Sequence, residues 1–311
     1  MSAAGGLLRR SAWAALSGAL ALAAASLRFD AGRGEEPLGF GRLPSDEAIR
    51  PEGPGRRASG AKGRLAVRPG EELRYDVRWL GVTAGALDLR AEGYQTRGGS
   101  TCMVVEMTMH STNPLLEAHF PVRERSRSWI DADGVFSRGY ESRRSHSGGE
   151  VVEVQRFDYG RGKAVHTKEE SGGASTREVD LPGPAQDVVS WHYYLRSRIA
   201  SGEREIELVL AKRSAVPVVR LTVGAHEEID LASASRVRAV RLDAGPELVA
   251  AISGSREAQK DGGSGMFWFD PASGILLRAD VPASVGRMQL ELAGTTGAPA
   301  IGVKPGATDG E

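Results

Sequence analysis

The chain has 311 residues, 41% hydrophobic and 26% charged, with 40 glycines and 15 prolines, a globular composition rich in turns that argues against an all-helical fold. Forty basic residues balance forty acidic ones, so the positive excess that neutralises phosphates in a nucleic-acid binder is missing, as is a generic surface for anionic partners. A single cysteine, Cys102, rules out an intrachain disulfide and a cysteine-based zinc site.

Residues Met1 to Arg10 end in Arg9-Arg10, and Ser11 to Leu27 form an uncharged Ala/Leu stretch finishing in Ala23-Ala24-Ala25. This is the three-part pattern of an export signal. The apolar run is short and alanine-rich beside the ~20 strongly apolar residues of a membrane span, so residues 1–25 are expected to be a cleaved signal peptide. No stable transmembrane span then remains. The protein is placed in the periplasm or outside the cell, with an uncleaved inner-membrane anchor as the alternative. No lipid-attachment cysteine follows the run. Residues 26–63 turn to Gly, Pro, Arg and Glu, as in Arg33-Gly34-Glu35-Glu36-Pro37, and are expected to be a disordered linker. A β domain is expected over 64–294 and a disordered tail over 295–311.

The domain is written in period two. Leu73, Tyr75, Val77 and Trp79 alternate with Arg74, Asp76 and Arg78, which puts large apolar side chains on one face of a strand. After a turn at Gly81, Leu87, Leu89 and Ala91 repeat the pattern, and Val105, Met107 and Met109 continue it until Asn113-Pro114. Cys102 sits in the apolar run Cys102-Met103-Val104-Val105 and is expected to be buried and inert. A polar hairpin follows, turning at Asp133-Gly134. Arg123, Arg125, Arg127 and Trp129 share one of its faces, and Val122, Glu124, Ser126, Ser128 and Ile130 the other. Further strands are expected at 151–159, 163–168, 177–181, 205–210, 218–223, 235–242, 247–253, 265–270, 275–281 and 285–293. One segment departs from this rule: Val188, Trp191, Leu195 and Ile199 form a helical stripe, predicting an amphipathic helix over 187–199 with Asp187 as its N-cap. The whole reads as an all-β antiparallel meander curled into a half-barrel or open barrel, with one helix plugging its concave side or closing one end.

Enzyme signatures are absent: there is no G-x-S-x-G elbow, no H-E-x-x-H and no phosphate loop. Asp187, Ser190 and His192 are the residue types of a hydrolytic triad, but positions 190 and 192 point in opposite directions on a helix. The six histidines are scattered. No catalytic residue, metal or cofactor is assigned. The row Arg123, Arg125, Arg127 could grip a carboxylate, phosphate or sulfate, unless it is a solvated strand face paired with acidic neighbours.

Three blocks bear a family likeness. Pro69-Gly70-Glu71-Glu72-Leu73-Arg74-Tyr75 with Gly81-Val82-Thr83-Ala84-Gly85, then Gln186-Asp187-Val188-Val189-Ser190 with Tyr193-Tyr194-Leu195-Arg196, then Phe267-Trp268-Phe269-Asp270 with Gly286-Arg287-Met288-Gln289-Leu290-Glu291-Leu292, resemble in order the bacterial family called domain of unknown function 3108. The resemblance spans about 65–293. It implies an exported meander curled into a half-barrel, and implies no activity; Gly70 and Gly85 are expected to have structural roles. The long stretch Arg28 to Gly63 departs from that family.

The expectation is an exported, non-catalytic envelope protein that binds a lipid, glycan or partner protein in its concavity. Tyr75, Trp79, Trp129 and Trp268 would supply contact area, and Arg123, Arg125 and Arg127 charge selectivity if they face inward. Two alternatives stand beside it: an envelope hydrolase whose site assembles only in three dimensions, and an assembly factor acting through a sheet edge.

Overall fold

The structure, a computed structural model, describes residues 65–119, 122–146, 149–213, 215–246, 248–249, 263–283 and 286–301. The expected signal and linker lie outside the described residues. Alternating burial along the first strand, with Leu73, Tyr75 and Val77 inside and Arg74 outside, follows the period of the sequence. The strands are β1 (Glu72–Trp79), β2 (Val82–Arg97), β3 (Ser100–Ser111), β4 (Arg123–Asp131), β5 (Ser137–His146), β6 (Gly149–Asp158), β7 (Lys163–Glu170), β8 (Gly173–Asp180), β9 (Glu205–Val209), β10 (Val218–Leu231), β11 (Ala234–Ala244), β12 (Gly265–Phe269), β13 (Leu276–Pro282) and β14 (Arg287–Thr296).

They form one antiparallel sheet in the order β8-β7-β6-β5-β4-β3-β2-β1-β14-β13-β12-β11-β10-β9. The chain meanders outward from β1 to β8, crosses, and meanders back from β9 to β14, where β14 pairs with β1. The sheet is not closed into a barrel, but its ends approach one another. Gln186 bridges to Leu210 just beyond β9, Ala185 O accepts from Ser137 N at the start of β5, and Gln155 on β6 reaches Ala211. Phe157, Ala164, Leu181, Ala185 and Ala211 pack together at that meeting point.

The concave side of the sheet is filled by a helix. Its polar residues are as buried as its apolar ones, so the expected amphipathic helix is instead an internal plug, α2 (Ser190–Ala200), buried at Trp191, Tyr193, Leu195 and Ile199 and equally at His192, Arg196 and Arg198. Trp191 meets Phe267 of β12 edge-on at 5.8 Å, and Tyr75 of β1 meets His192 at 6.1 Å. An arginine inside such a core needs a counter-charge. Arg196 finds it in Glu71, which it grips through both terminal nitrogens, Nη2 to Oε2 at 3.0 Å, while its Nε donates to Ser273 O at 3.2 Å. Both side chains are 1% exposed. Beside Ser273, Gly274 takes the left-handed region at φ 65°. A Cβ there would lie 2.1 Å from Arg196 O, so only glycine fits.

Several sequence expectations need correction. A short helix, α1 (Pro114–His119), follows β3, with proline at its first position, where the missing N–H costs nothing. Residues expected to open a strand at 247 are helical where described, at Pro246, Leu248 and Val249, and Val249 N donates to Gly245 O. Gly245-Pro246 was the local signal for this. The turn at Asp133-Gly134 is a longer loop in which Asp131 Oδ1 accepts from both those N–H groups. Its left-handed residue is Val135, at φ 52°, rather than Gly134. β14 runs to Thr296, and Ala298 and Ile301 pack on the core, so the folded chain continues past Gly294. Gly85 sits where a Cβ would meet His110 O at 2.6 Å, and Gly70 has φ 84°.

Cys102 is fully buried, and burial pushes its thiol up to about 11. It is expected to stay unmodified by iodoacetamide at pH 8 in the folded protein and to react once denaturant unfolds it; fast labelling of the native chain would contradict its placement. Replacing Arg196 by Met strands the Glu71 charge, and urea unfolding should show a loss of about 3–5 kcal/mol, largely recovered when Glu71→Leu is added. A single-variant cost below about 1 kcal/mol would show that the pair does not hold the helix.

Candidate functional site

The residues proposed from sequence do not converge. Tyr75 and Trp79 lie on the inner face of β1, with Tyr75 packed under α2 and Trp79 half-buried against the core. Arg123, Arg125, Arg127 and Trp129 lie on the outer face of β4, because Glu124, Ser126, Ser128 and Ile130 take the buried one. The arginines do not face inward. They are held by carboxylates, Arg123 by Glu117 at 3.2 Å, Arg125 by Glu106 at 2.7 Å, and Arg127 by Glu92 and Glu106 at 3.3 and 3.2 Å. Trp129 donates to Gln95 beneath the Arg97 guanidinium. This is a lattice of cross-strand ion pairs, each worth about 0–1 kcal/mol where exposed. Trp268, six strands away from β4 across the sheet, hydrogen-bonds Glu227 and lies under Arg278.

The unusual surface is on the opposite side of the same hairpin. Where β1 and β12 to β14 present Leu, Val and Phe to the interior, β4 to β8 present polar groups. In sheet register, Ser128, Tyr140, Gln155, His166 and Arg177 form one row crossing five strands. Ser126, Ser142, Glu153, Lys168 and Ser175 form the next, and Glu124 beside Arg144 begins a third. Most of these side chains are buried, Arg177 and Ser175 at the β8 rim being exposed. Sequence reading passed over the face because its residues are interleaved with the arginines. Ile130, at the end of the Glu124-Ser126-Ser128 phase, was the signal that this phase points inward.

Charge inside the face is matched closely. Arg144 Nε lies 3.0 Å from Glu124 Oε2, and Ser126 donates to Glu124 at 2.9 Å and lies 3.2 Å from the Tyr140 hydroxyl. Burial opposes the Arg144 charge, but Glu124, Glu153 and Tyr140 outweigh it and hold the guanidinium protonated above its ordinary range. Burial pushes the Tyr140 hydroxyl well above its ordinary value, keeping it a donor. Burial also works to raise Glu153, yet the imidazole of His166, 3.8 Å away, and the charges of Arg144 and Lys168 bring it below the usual carboxylate range. Lys168 holds Glu170 at 2.7 Å. Two buried polar atoms of the first row, Gln155 Oε1 and His166 Nδ1, have no hydrogen-bond partner, as is true of Tyr75 Oη and His192 Nε2 beside α2.

Asp187, Ser190 and His192 do not assemble into a catalytic constellation. The assigned start of α2 follows Val189, which makes no side-chain cap bond. Two residues earlier, Asp187 Oδ1 accepts from the N–H groups of Val189 and Ser190 at 2.7 and 2.8 Å, and its own N–H donates to Ser190 Oγ at 2.8 Å. Its Oδ2 accepts from Ser128 and Ser137 at 2.6 and 2.5 Å. The carboxylate therefore ties the head of the helix to β4 and β5. His192 points instead into the aromatic core beside Tyr75, Trp191 and Tyr193. Among the described residues, no group of three or more His, Cys, Asp or Glu side chains is placed to hold a metal ion.

Residues 74–293 match the protein family of unknown function DUF3108, the family that the sequence blocks resemble. No curated protein matches the chain. Among solved structures it is similar to a β-barrel-like protein of the domain of unknown function DUF1849 from Brucella abortus, at 13% identity and a TM-score of 0.46 over 75% of this chain and 98% of that one. A Bacteroides fragilis protein described as exported, with a YmcC-like fold, gives 10% identity and a TM-score of 0.33 over 76% and 100% of the two chains. A Parabacteroides distasonis protein described as a lipoprotein gives 10% and 0.26 over the same shares.

Burial pushes His192 down to about 3 from its ordinary 6.5, with Arg196 adding to the shift. The unfolded chain therefore holds more protons between those values, and stability falls as pH drops through that window, by up to about 1.4 kcal/mol per unit. His192→Phe should flatten the fall in unfolding free energy between pH 6.5 and 5. An unchanged slope would mean that the ring is not buried as neutral imidazole.

Proposed function

The chain belongs to the DUF3108 family of proteins of unknown function, and we propose that it is an exported envelope protein which binds a polar, glycan-like component on the inner face of β4 to β8 without transforming it. One observation carries this reading. A protein interior that is apolar around α2 becomes two transverse rows of polar side chains on the other arm, buried on β4 and β5 and open at the β8 rim, where Ser175 and Arg177 are exposed. Buried polar groups are normally satisfied. A polar arm that opens at its rim suits a polar ligand better than an apolar one.

The same geometry weighs against a lipid. A lipid-binding half-barrel needs a wide apolar cavity, and here α2 occupies the apolar concavity, with Trp191, Leu195 and Ile199 in contact with the core. Catalysis is disfavoured by the use of Asp187 and Ser190 in anchoring the helix. Export is supported by the sequence of residues 1–25, with cleavage near Ala25; among the described residues no helix is long and apolar enough to cross a membrane. The reading keeps residues 26–63 as a tether for a domain that begins near Arg64.

The protein expressed with its own leader should be recovered from the envelope fraction with an N-terminus near Ser26. Native mass spectrometry of that material should show a carbohydrate adduct, and Gln155→Leu, which keeps the side-chain volume, should lose the adduct while its circular dichroism stays unchanged. Extraction of lipid in place of carbohydrate, or an adduct indifferent to Gln155→Leu, would count against the reading.

A further inference from the structure

The turn between β1 and β2 keeps a residue that its own backbone disfavours. Trp79 pairs with Val82 across the hairpin, and the two residues between them, Leu80 and Gly81, sit at φ 49° and 81°. Positive φ at both centres is the tight primed turn, whose first position favours Asn, Asp or Gly. A leucine there meets the steric cost of the left-handed region, and burial does not offset it. Leu80 is 59% exposed and Val82 51%, with the half-buried Trp79 at their base. Arg78 folds back over the same turn, its Nη2 donating to Gly81 O at 3.3 Å, and makes no ion pair among the described residues. The arginine of the neighbouring turn, Arg287, is neutralised by Asp280.

Shape and charge select what this tip meets. A single convex turn offers far less than the about 800 Å² that each partner of a stable protein complex buries, and it has no concavity for a small molecule. A bilayer surface is fluid and moulds itself to a projecting apolar tip. Tryptophan suits the boundary between acyl chains and headgroups, and an arginine beside it bends its charge toward the phosphates. The described chain begins at the opposite end of β1, where Leu65 N donates to Ala132 O, which leaves the tip clear of that entry point. We infer that the β1–β2 turn is a membrane-docking tip: Leu80 and Val82 enter the outer part of a phospholipid leaflet, and Arg78 pairs with a lipid phosphate. This contact needs neither a lipid cavity nor the polar arm, so it stands or falls independently of the ligand proposed above.

Flotation of the intact exported chain with vesicles of phosphatidylcholine alone, and of phosphatidylcholine mixed with an equal part of phosphatidylglycerol, tests this. The protein is expected to bind both, the mixed vesicles about fivefold more tightly, the worth of one arginine at an anionic surface. Leu80→Asn installs a residue the turn prefers, so its urea midpoint should be equal or higher while binding to both vesicles falls about tenfold. Arg78→Gln should remove only the preference for the mixed vesicles. Tyr94→Ser, which removes a side chain also 51% exposed but near the far end of β2, should leave binding unchanged. No vesicle binding by the unaltered chain, or full binding by a folded Leu80→Asn, would overturn the docking role. An equal loss in Tyr94→Ser would overturn it too, because binding would then follow exposed apolar surface in general. A preference for the mixed vesicles that survives Arg78→Gln would overturn the phosphate pairing.

Discussion

A guanidinium in a hydrophobic core is the condition around which this fold is arranged. Arg196 leaves the middle of α2 and is met by Glu71 at the mouth of β1. Without that partner the buried charge would cost several kcal/mol, so the helix can enter the sheet only with β1 in place. The same arginine hydrogen-bonds Ser273 in the turn between β12 and β13, and Gly274 there has no side chain because Arg196 O occupies the space. One residue thus couples the start of the outward meander, the crossing helix and the end of the returning meander. All three resemblance blocks lie in this knot: Glu71 in the first, Arg196 in the second and Asp270, which organises the Ser273 turn at 2.7 Å, at the edge of the third. The three blocks thus meet in space for a mechanical reason.

The knot divides the half-barrel into two kinds of interior. On the β9 to β14 side and around β1 to β3, the helix packs Trp191 against Phe267 and buries Leu195 and Ile199 in the core, and the space is filled. On the β4 to β8 side the inner face is polar, and the helix touches it mainly through its head, where Asp187 accepts from Ser128 and Ser137. That contact is itself the first member of the row that ends at Arg177. The function proposed for the chain follows from this division, since the helix fills the apolar side and the polar arm ends in an exposed rim at β8.

Much of the architecture was legible because period two is a strong signal when one phase is apolar. Leu73, Tyr75 and Val77, or Met107 and Met109, point one way only. The helix was legible from Trp191, Leu195 and Ile199, but its all-round burial was not, since Arg196 reads as a solvent-facing residue until Glu71 is seen beside it. The site was missed for a related reason. On β4 both phases are polar, and the arginines were the more conspicuous candidates for chemistry. Hydrophobic periodicity assigns a face only where one phase is hydrophobic, so Glu124, Ser126 and Ser128 could be oriented only through Val122 and Ile130 at their ends. That His166 and Gln155 are partners depends on register, which is set by turns far apart in the chain.

The claim on which everything rests is that α2 is a permanent part of the core and does not leave a lipid-accessible cavity. Native-state hydrogen exchange tests it directly. The amides of Tyr193 to Ile199 are predicted to exchange only with global unfolding, with the same denaturant dependence as those of β1 and β12 to β14. Exchange of the helix through a local opening, several kcal/mol below the global value and independent of denaturant, would contradict it and return the apolar concavity to the list of binding sites.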